Sequence, residues 1–367
     1  MRAGVEIQTG ITYTHYIQRA IYEHAQVTGD VEFLKSQLPG MINTFGLWQV
    51  QFDNATGLYH RTPLLDAQEY SLPGYLTGGP NGGPVTQWNA MGNNYTIIDN
   101  GPETFRPDFE AFMIANEQAI AEVASLSGQT SLAQQWSAKA ATLYKRMQDV
   151  LWHNQIQYWI DVVQGTDLQC VGRQLIALFP YRFSVGTDDK YVRGLEASLN
   201  TESLVSSFGP TTLEQTSIYY EELRNLTYST PWNGQSWPFS TCVYLGTLAR
   251  LARENRSTVV NPEFFQQELY TYTRTNYRDG KPYTAECHYP TTDRWSGDTT
   301  NHSENYFHST YIDNIFTNLV GVIPTLDNRL ELQPLIPKNW TYFAVENLPY
   351  HGDSQQMQFQ GSLLIHS

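Results

Sequence analysis

The feature that most constrains this chain is a recurring pair of amphipathic helical segments. Tyr13, Tyr16, Ile17, Ala20, Ile21 and His24 recur at helical spacing, and Thr28-Gly29-Asp30 then supplies a glycine stop and an aspartate N-cap. Leu34, Leu38, Ile42, Phe45 and Trp48 carry the period into a second helix. The pair returns downstream. Phe109, Phe112, Asn116, Ile120 and Val123 mark one helix, Gly128 breaks it, and Leu132, Trp136, Leu143, Met147 and Leu151 mark the next. Further helices are expected near 168–180, 186–200, 237–254, 261–276 and 304–320. Successive hairpins with no βαβ alternation predict an all-α toroid of helical hairpins. Connections of very different length exclude a short-period solenoid. The toroid is expected over 1–325. Alternation at Leu330-Glu331-Leu332-Gln333-Pro334-Leu335 and Met357-Gln358-Phe359 predicts a short β-rich segment over 326–367, packed on it.

Two connections are longer than a turn requires. Residues 52–104 contain Gly78-Gly79-Pro80-Asn81-Gly82-Gly83-Pro84 and the aromatics Tyr59, Tyr70, Tyr75, Trp88 and Tyr95. Residues 277–303 hold Glu286, His288, Asp293, Trp295 and Asp298. Loops of this length in a compact domain are usually functional, so both are expected to meet at one mouth of the toroid.

Composition limits what that mouth can bind. A net charge of -14 argues against nucleic acid, which requires a basic surface. No apolar run of about 18 residues offers a membrane span. Charged residues are 16% and aromatics 13%, a balance suited to uncharged ligands such as sugars. The three cysteines, Cys170, Cys242 and Cys287, are too widely spaced for a CxxC metal site. Sequons begin at Asn54, Asn94, Asn225, Asn255, Asn301 and Asn339. The N-terminus lacks an apolar signal core, and the expectation is a secreted glycoprotein whose upstream part is missing here.

Four segments carry residues able to do chemistry. Asp66-Ala67-Gln68-Glu69-Tyr70-Ser71 places two carboxylates three apart in an aromatic loop, where burial can raise one pKa for a general acid. N-capping and loop hydrogen bonding also explain them. Glu286 stands in Tyr283-Thr284-Ala285-Glu286-Cys287-His288-Tyr289-Pro290. Asn301-His302-Ser303-Glu304-Asn305 opens a helix, where Glu304 also suits the positive end of the helix dipole. Trp232-Asn233-Gly234-Gln235-Ser236-Trp237-Pro238 offers indole faces for sugar rings and amides for hydroxyls, although paired tryptophans also anchor cores.

Together these segments resemble the six-hairpin (α/α)6 glycoside hydrolases, the group of trehalase, processing α-glucosidase and mannosylglycerate hydrolase. Asp66-Ala67-Gln68-Glu69-Tyr70-Ser71 is similar to their acid motif, Gly-Trp-Asp-Phe-Ser in trehalases, with Glu69 at the acid position. Phe105-Arg106-Pro107-Asp108-Phe109-Glu110-Ala111-Phe112, followed by Glu117-Gln118-Ala119-Ile120-Ala121, looks like their Asp-Leu-Asn-Ala helix. Trp232 to Pro238 resembles Trp-Arg-Gly-x-x-Trp, with Asn233 in place of arginine. Glu286 with Tyr289-Pro290 resembles the Glu-x-Tyr-x-Pro stretch that holds the base. The motifs keep their order over roughly 10–325. The missing arginine leaves the sugar open, and plant-polysaccharide enzymes such as β-L-arabinofuranosidases belong to the same group. Larger relatives carry an N-terminal β-sandwich domain.

The resemblance implies an inverting glycosidase without cofactor that acts on terminal sugars of oligo- or polysaccharides. Glu69 is then the acid and Glu286 the base, with Asp66 and Glu304 in reserve. Trp232, Trp237, Arg106, Asp108, Trp88 and His302 would bind sugar or shape the pocket. An inverting pair is expected roughly 6.5–9.5 Å apart, with Glu69 the more desolvated. Other readings are a phosphorylase on the same fold and a non-catalytic sugar-binding fragment. A metalloenzyme would have to use His288, His302, His308, Asp298 and Glu304, with no HExxH pair among them. A serine hydrolase lacks its Gly-x-Ser-x-Gly.

Overall fold

The computed structural model describes residues 14–68, 71–77, 85–88, 94–97, 101–220, 232–295, 306, 310–360 and 363–366. It describes the backbone alone at 64, 85–88, 94–97, 356–360 and 363–366. The helices are α1 (Ile17–Thr28), α2 (Val31–Ser36), α3 (Leu38–Gly46), α4 (Leu72–Thr77), α5 (Pro107–Leu126), α6 (Thr130–Leu151), α7 (Phe179–Arg182), α8 (Asp189–Ser198), α9 (Pro238–Glu254), α10 (Pro262–Thr275) and α11 (Thr310–Asp313). A π-helical stretch, Asn314–Val320, continues α11.

Local chemistry sets most of these boundaries. Gly29 closes α1 in the left-handed region (φ 73), and Asp30 caps α2 by accepting from the Phe33 N–H at 2.9 Å. The second helix expected from Leu34 to Trp48 is broken at Gln37. Pro39 lacks the N–H that would continue α2, so α3 starts afresh around it. Helix α5 buries nearly every side chain, the pattern of a central helix, whereas α6 buries only Trp136, Ala140, Leu143, Met147 and Leu151. The helix expected over 168–180 is instead a strand at Gln169–Cys170, a 3-10 turn at Leu175–Leu178 and the short α7. Leu175 to Leu178 are all buried, so they give no amphipathic period, and Gln174 is held in a bridge with Leu213.

The helices pack in succession. Helix α1 packs on α5, α5 on α7, α7 on α9 and α9 on the π-helical stretch; the strand Val322–Pro324 then returns to α1. Helices α6 and α10 pack outside α5 and α9, and α2 and α3 also cover α5. Helices α1 and α5 run parallel, because Tyr16 meets the Phe112 ring and the Arg19 N–H donates to Asn116. One large core joins these elements, from Leu34 and Phe45 through Phe109 and Phe179 to Leu248 and Phe265.

Several small sheets accompany the helices, which the all-α reading did not expect. In the largest, Phe52–Asp53, Leu58–Arg61, Thr104–Phe105, Asp161–Val163 and Gln169–Cys170 pair in that order, all antiparallel. Strands of two to four residues are too short for alternation to reveal them. This sheet fixes the start of α5, since Phe105 lies between His60 and Val162 in the register and Arg106 follows directly. In the tail, Leu330–Leu332 pairs with Val322–Pro324, and Tyr342–Tyr350, Asp353–Gln360 and Leu363–His366 form a meander. His351 joins it to α1, its N–H donating to Val27 O at 3.1 Å.

Candidate active site

The site is built around one buried cation at the entrance to α5. Arg106 leaves its strand in an extended conformation and Pro107 takes the first helical position, where a missing N–H costs nothing. Its guanidinium has no exposure, so it must be neutralised in place. Three carboxylates do this. Arg106 Nε lies 3.2 Å from Asp66 Oδ2 and 3.7 Å from Asp108 Oδ1, and Nη1 lies 3.8 Å from Asp161 Oδ2. Gln68 bridges two members, accepting from Arg106 Nη2 and donating to Asp108 Oδ2. Thr14 donates its hydroxyl to Asp66, whose other neighbour is Arg61 at 3.8 Å.

Charge in this cluster is unbalanced: Asp66, Asp108 and Asp161 face Arg106 and Arg61. Burial, with the charge of Asp108, raises the Asp66 carboxyl above the ordinary carboxylate range against the pull of Arg106 and Arg61. Burial likewise pushes Asp161 up to about 6, Arg106 opposing and Asp108 assisting. The cluster also shapes the backbone. Asp66 and Gln68 both turn inward, and Ala67 between them is exposed with φ 55. That conformation costs a non-glycine residue about 1 kcal/mol or more, and the inward hydrogen bonds sustain it.

A second group forms at the start of α9. Trp232 and Trp237 stack on each other with centroids 4.6 Å apart and planes at 24°, and both are buried with Cys287. Ser236 and His288 exchange both backbone hydrogen bonds, and the Phe208 N–H donates to Pro290 O at 2.8 Å. Trp295 meets the His288 ring edge-on at 5.0 Å. Glu286 is half-buried, one residue before Cys287.

Gln174 joins the two groups. Its side chain donates to Asp161 Oδ2 at 3.0 Å, and its backbone bridges Leu213. Thr212, next to Leu213, accepts the Gly234 N–H on its hydroxyl at 2.9 Å, inside the tryptophan motif. The 52–104 loop adds a parallel link, as Leu72 packs with Leu213 and Tyr75 lies against Tyr219, whose carbonyl accepts from Asn233. Thr14, Arg106, Gln174 and Trp237 precede α1, α5, the 3-10 turn before α7, and α9, so the linked groups gather at the N-terminal ends of the successively packed helices.

Of the residues singled out from sequence, Asp66, Arg106 and Asp108 come together in the first group, and Trp232, Trp237 and Glu286 in the second. Glu69, Glu304 and His302 lie outside the described residues, as do His308 and Asp298. Trp88 ends the strand Val85–Trp88, described by its backbone only. His288 is buried, with Nδ1 2.7 Å from the Tyr289 carbonyl. Among the described residues no group of three or more His, Cys, Asp or Glu is arranged to hold a metal ion. Sequence reasoning missed Arg61, Asp161 and Gln174. Asp161 had a legible signal, a lone charge in Tyr158-Trp159-Ile160-Asp161-Val162-Val163, because a carboxylate in an apolar strand needs a buried partner.

The family model for the mannosylglycerate hydrolase MGH1-like glycoside hydrolase domain matches residues 2–309. The chain belongs to this glycoside hydrolase family. Among solved structures, one described as a sialidase superposes with a TM-score of 0.83 at 22% identity, covering 97% of this chain and 31% of its own. The GH63 mannosylglycerate hydrolase from Thermus thermophilus, in complex with Tris, gives 0.63 at 12% identity over 84% of this chain and 78% of its own. A GH78 family rhamnosidase of Bacillus sp. GL1 gives 0.61 at 14% identity, over 93% and 30%. At these identities the likeness shows a shared fold, and the chain spans under a third of the sialidase and rhamnosidase chains. Comparison with curated protein sequences found no match.

Proposed function

We propose that this chain forms an inverting glycosidase core, an (α/α)6 toroid over 1–325 with 326–367 packed on it, that removes terminal sugars. The observation that carries the reading is the joined pair of anchors at one set of helix N-termini. The Arg106 cluster holds the backbone up to Gln68, and the stacked tryptophans with the Ser236–His288 bridge hold it around Cys287. Glu69 follows the first anchor and Glu286 precedes the second. Glu69 would protonate the leaving oxygen, and Glu286 would activate water on the opposite face of the ring. Asp66 is the reserve acid and Glu304 the reserve base. Arg106 and Asp108 are buried, so in this reading they shape the pocket rather than touch sugar. Secretion is proposed alongside; Asn255 and Asn339 of the sequons are exposed, as glycan acceptors must be.

The substrate proposed first is a mannoside or a rhamnoside, following the names of the mannosylglycerate hydrolase and rhamnosidase neighbours. The test is hydrolysis of the p-nitrophenyl α-mannoside and α-rhamnoside and of mannosylglycerate, with the product anomer followed by NMR. Inversion supports the reading. Retention overturns the inverting pair, and turnover only with phosphate would make the protein a phosphorylase.

A further inference from the structure

A cavity lies on the flank of the molecule, away from the Arg106 cluster. It is a groove of about 690 Å³ between α3, the 53–57 turn and α6. Glu117 lies in its wall, eleven residues along α5 from Arg106, or roughly 16 Å at 1.5 Å per residue. Arg146 frames one side by donating from Nε to Thr56 O at 2.7 Å, which ties the turn to α6. Tyr59 and Trp136 supply aromatic surface, and Gln49 and Lys139 stand on the exposed rim.

Glu117 is the unusual member. It is 4% exposed, and its Oε2 makes no hydrogen bond among the described residues. Glu110, on the same helix, also has an unpaired Oε2, but its Oε1 accepts the Tyr59 N–H at 2.8 Å and it does not line the groove. Buried polar atoms are nearly always paired, so a carboxyl oxygen that lines a cavity unpaired among the described residues is open to a ligand in that cavity. We propose that this groove is a second saccharide-binding site, in which the Glu117 carboxyl hydrogen-bonds the hydroxyls of a neutral sugar.

The choice of a neutral sugar follows from the groups present. Burial pushes Glu117 up to about 8, against the pull of Lys139, so near pH 7 the acid both donates and accepts. A hydroxyl does the same. A cationic ligand would meet Lys139 and Arg146, and an anionic one finds Arg146 already engaged by Thr56 O at 2.7 Å and by Asp149 at 3.6 Å. Sugar C–H faces suit Tyr59 and Trp136, although the Lys139 ammonium now lies 4.2 Å over the Trp136 ring and would have to swing aside.

That displacement gives a readout independent of turnover. Lysine reductive methylation, resolved by peptide mass spectrometry, would be run with and without glucose, mannose or rhamnose, each near saturation. Labelling of Lys139 should fall several-fold with at least one sugar, while Lys145, exposed on the same helix, stays constant. Glu117→Gln keeps a donor and an acceptor and should retain the protection; Glu117→Leu should lose it. Equal labelling of wild-type Lys139 with and without every sugar overturns the site, whether or not the leucine variant folds. Protection that survives Glu117→Leu also overturns it.

Discussion

Ser236 and His288 exchange a reciprocal pair of backbone hydrogen bonds, each 2.8 Å long. Fifty-one residues of intervening chain are closed by that bridge, and a further contact draws in a third segment, as the Tyr306 N–H donates to Thr284 O at 3.3 Å. Glu286 therefore stands between two fixed backbone points, two residues from each. The backbone that carries this carboxylate is thus fixed by the fold, as a base facing a water would require.

The ranking of the two candidate bases follows. Glu286→Gln should abolish turnover with the melting temperature unchanged, whereas Glu304→Gln should mainly raise KM. Kinetics of both variants on the substrate found by hydrolysis decide it. A Glu304→Gln enzyme that binds but does not turn over, beside an active Glu286→Gln, would transfer the role.

Arg106 should be worth more to stability than any other residue of its cluster. Arg106→Met leaves Asp66, Asp108 and Asp161 buried with Arg61 alone, and breaking such a pair from one side typically costs about 3–5 kcal/mol. Arg106→Lys should recover only part of this, because an ammonium cannot reach Gln68 and three carboxylates as a planar fork does. Urea unfolding measures both. A loss under about 1 kcal/mol for Arg106→Met would show that the cluster is not held by its cation.

The helical hairpins could be read from the sequence because α1, α6, α9 and α10 each bury one stripe or carry their own caps. Short pieces could not. Leu175–Leu178 is uniformly apolar and entirely buried, so no period separates 3-10 turn from helix, and the five-stranded sheet uses strands of two to four residues. Members of the candidate site that lie close in the chain could be singled out from sequence, as Asp66 was, and Trp232 with Trp237. The site was not legible where partners meet only through the fold. Asp161 joins Arg106 through sheet register, and Gln174 joins Asp161 to Thr212 and Gly234 through a single bridge, none of which leaves a spacing in the chain.

Stability should fall as pH rises above about 4.5. Burial raises Glu117 to about 8, Glu268 to about 7 and Asp161 to about 6, from ordinary values of 4.5, 4.5 and 3.8. In that window the unfolded chain binds fewer protons than the folded one, so the stability that these groups contribute is full below their unfolded values. It is lost as pH climbs through the folded ones. The melting temperature should therefore decline from about pH 5 to pH 8, and Glu117→Gln should flatten the upper part of that slope. A melting temperature that rises across this range would contradict the buried, proton-bearing state of these carboxyls.

The acid assignment can be tested by the leaving group. Asp66 is fixed inside the cluster by Thr14, Arg106 and Arg61, and its raised pKa would let it hold a proton, so it is a real competitor to Glu69. The two differ in what their loss should do. A general acid contributes about 10²–10⁴ in rate by protonating a poor leaving group. Glu69→Gln should therefore lose that factor on an alkyl glycoside and recover most of it on a dinitrophenyl glycoside, which departs without a proton. It should also lose the alkaline limb of the pH–rate profile. Asp66→Asn removes one charge from the Arg106 cluster and loosens the turn at Ala67, so its loss should be similar for both leaving groups and the limb should remain. Rescue of Asp66→Asn by the dinitrophenyl substrate, with none for Glu69→Gln, would make Asp66 the acid and leave Glu69 without a catalytic role.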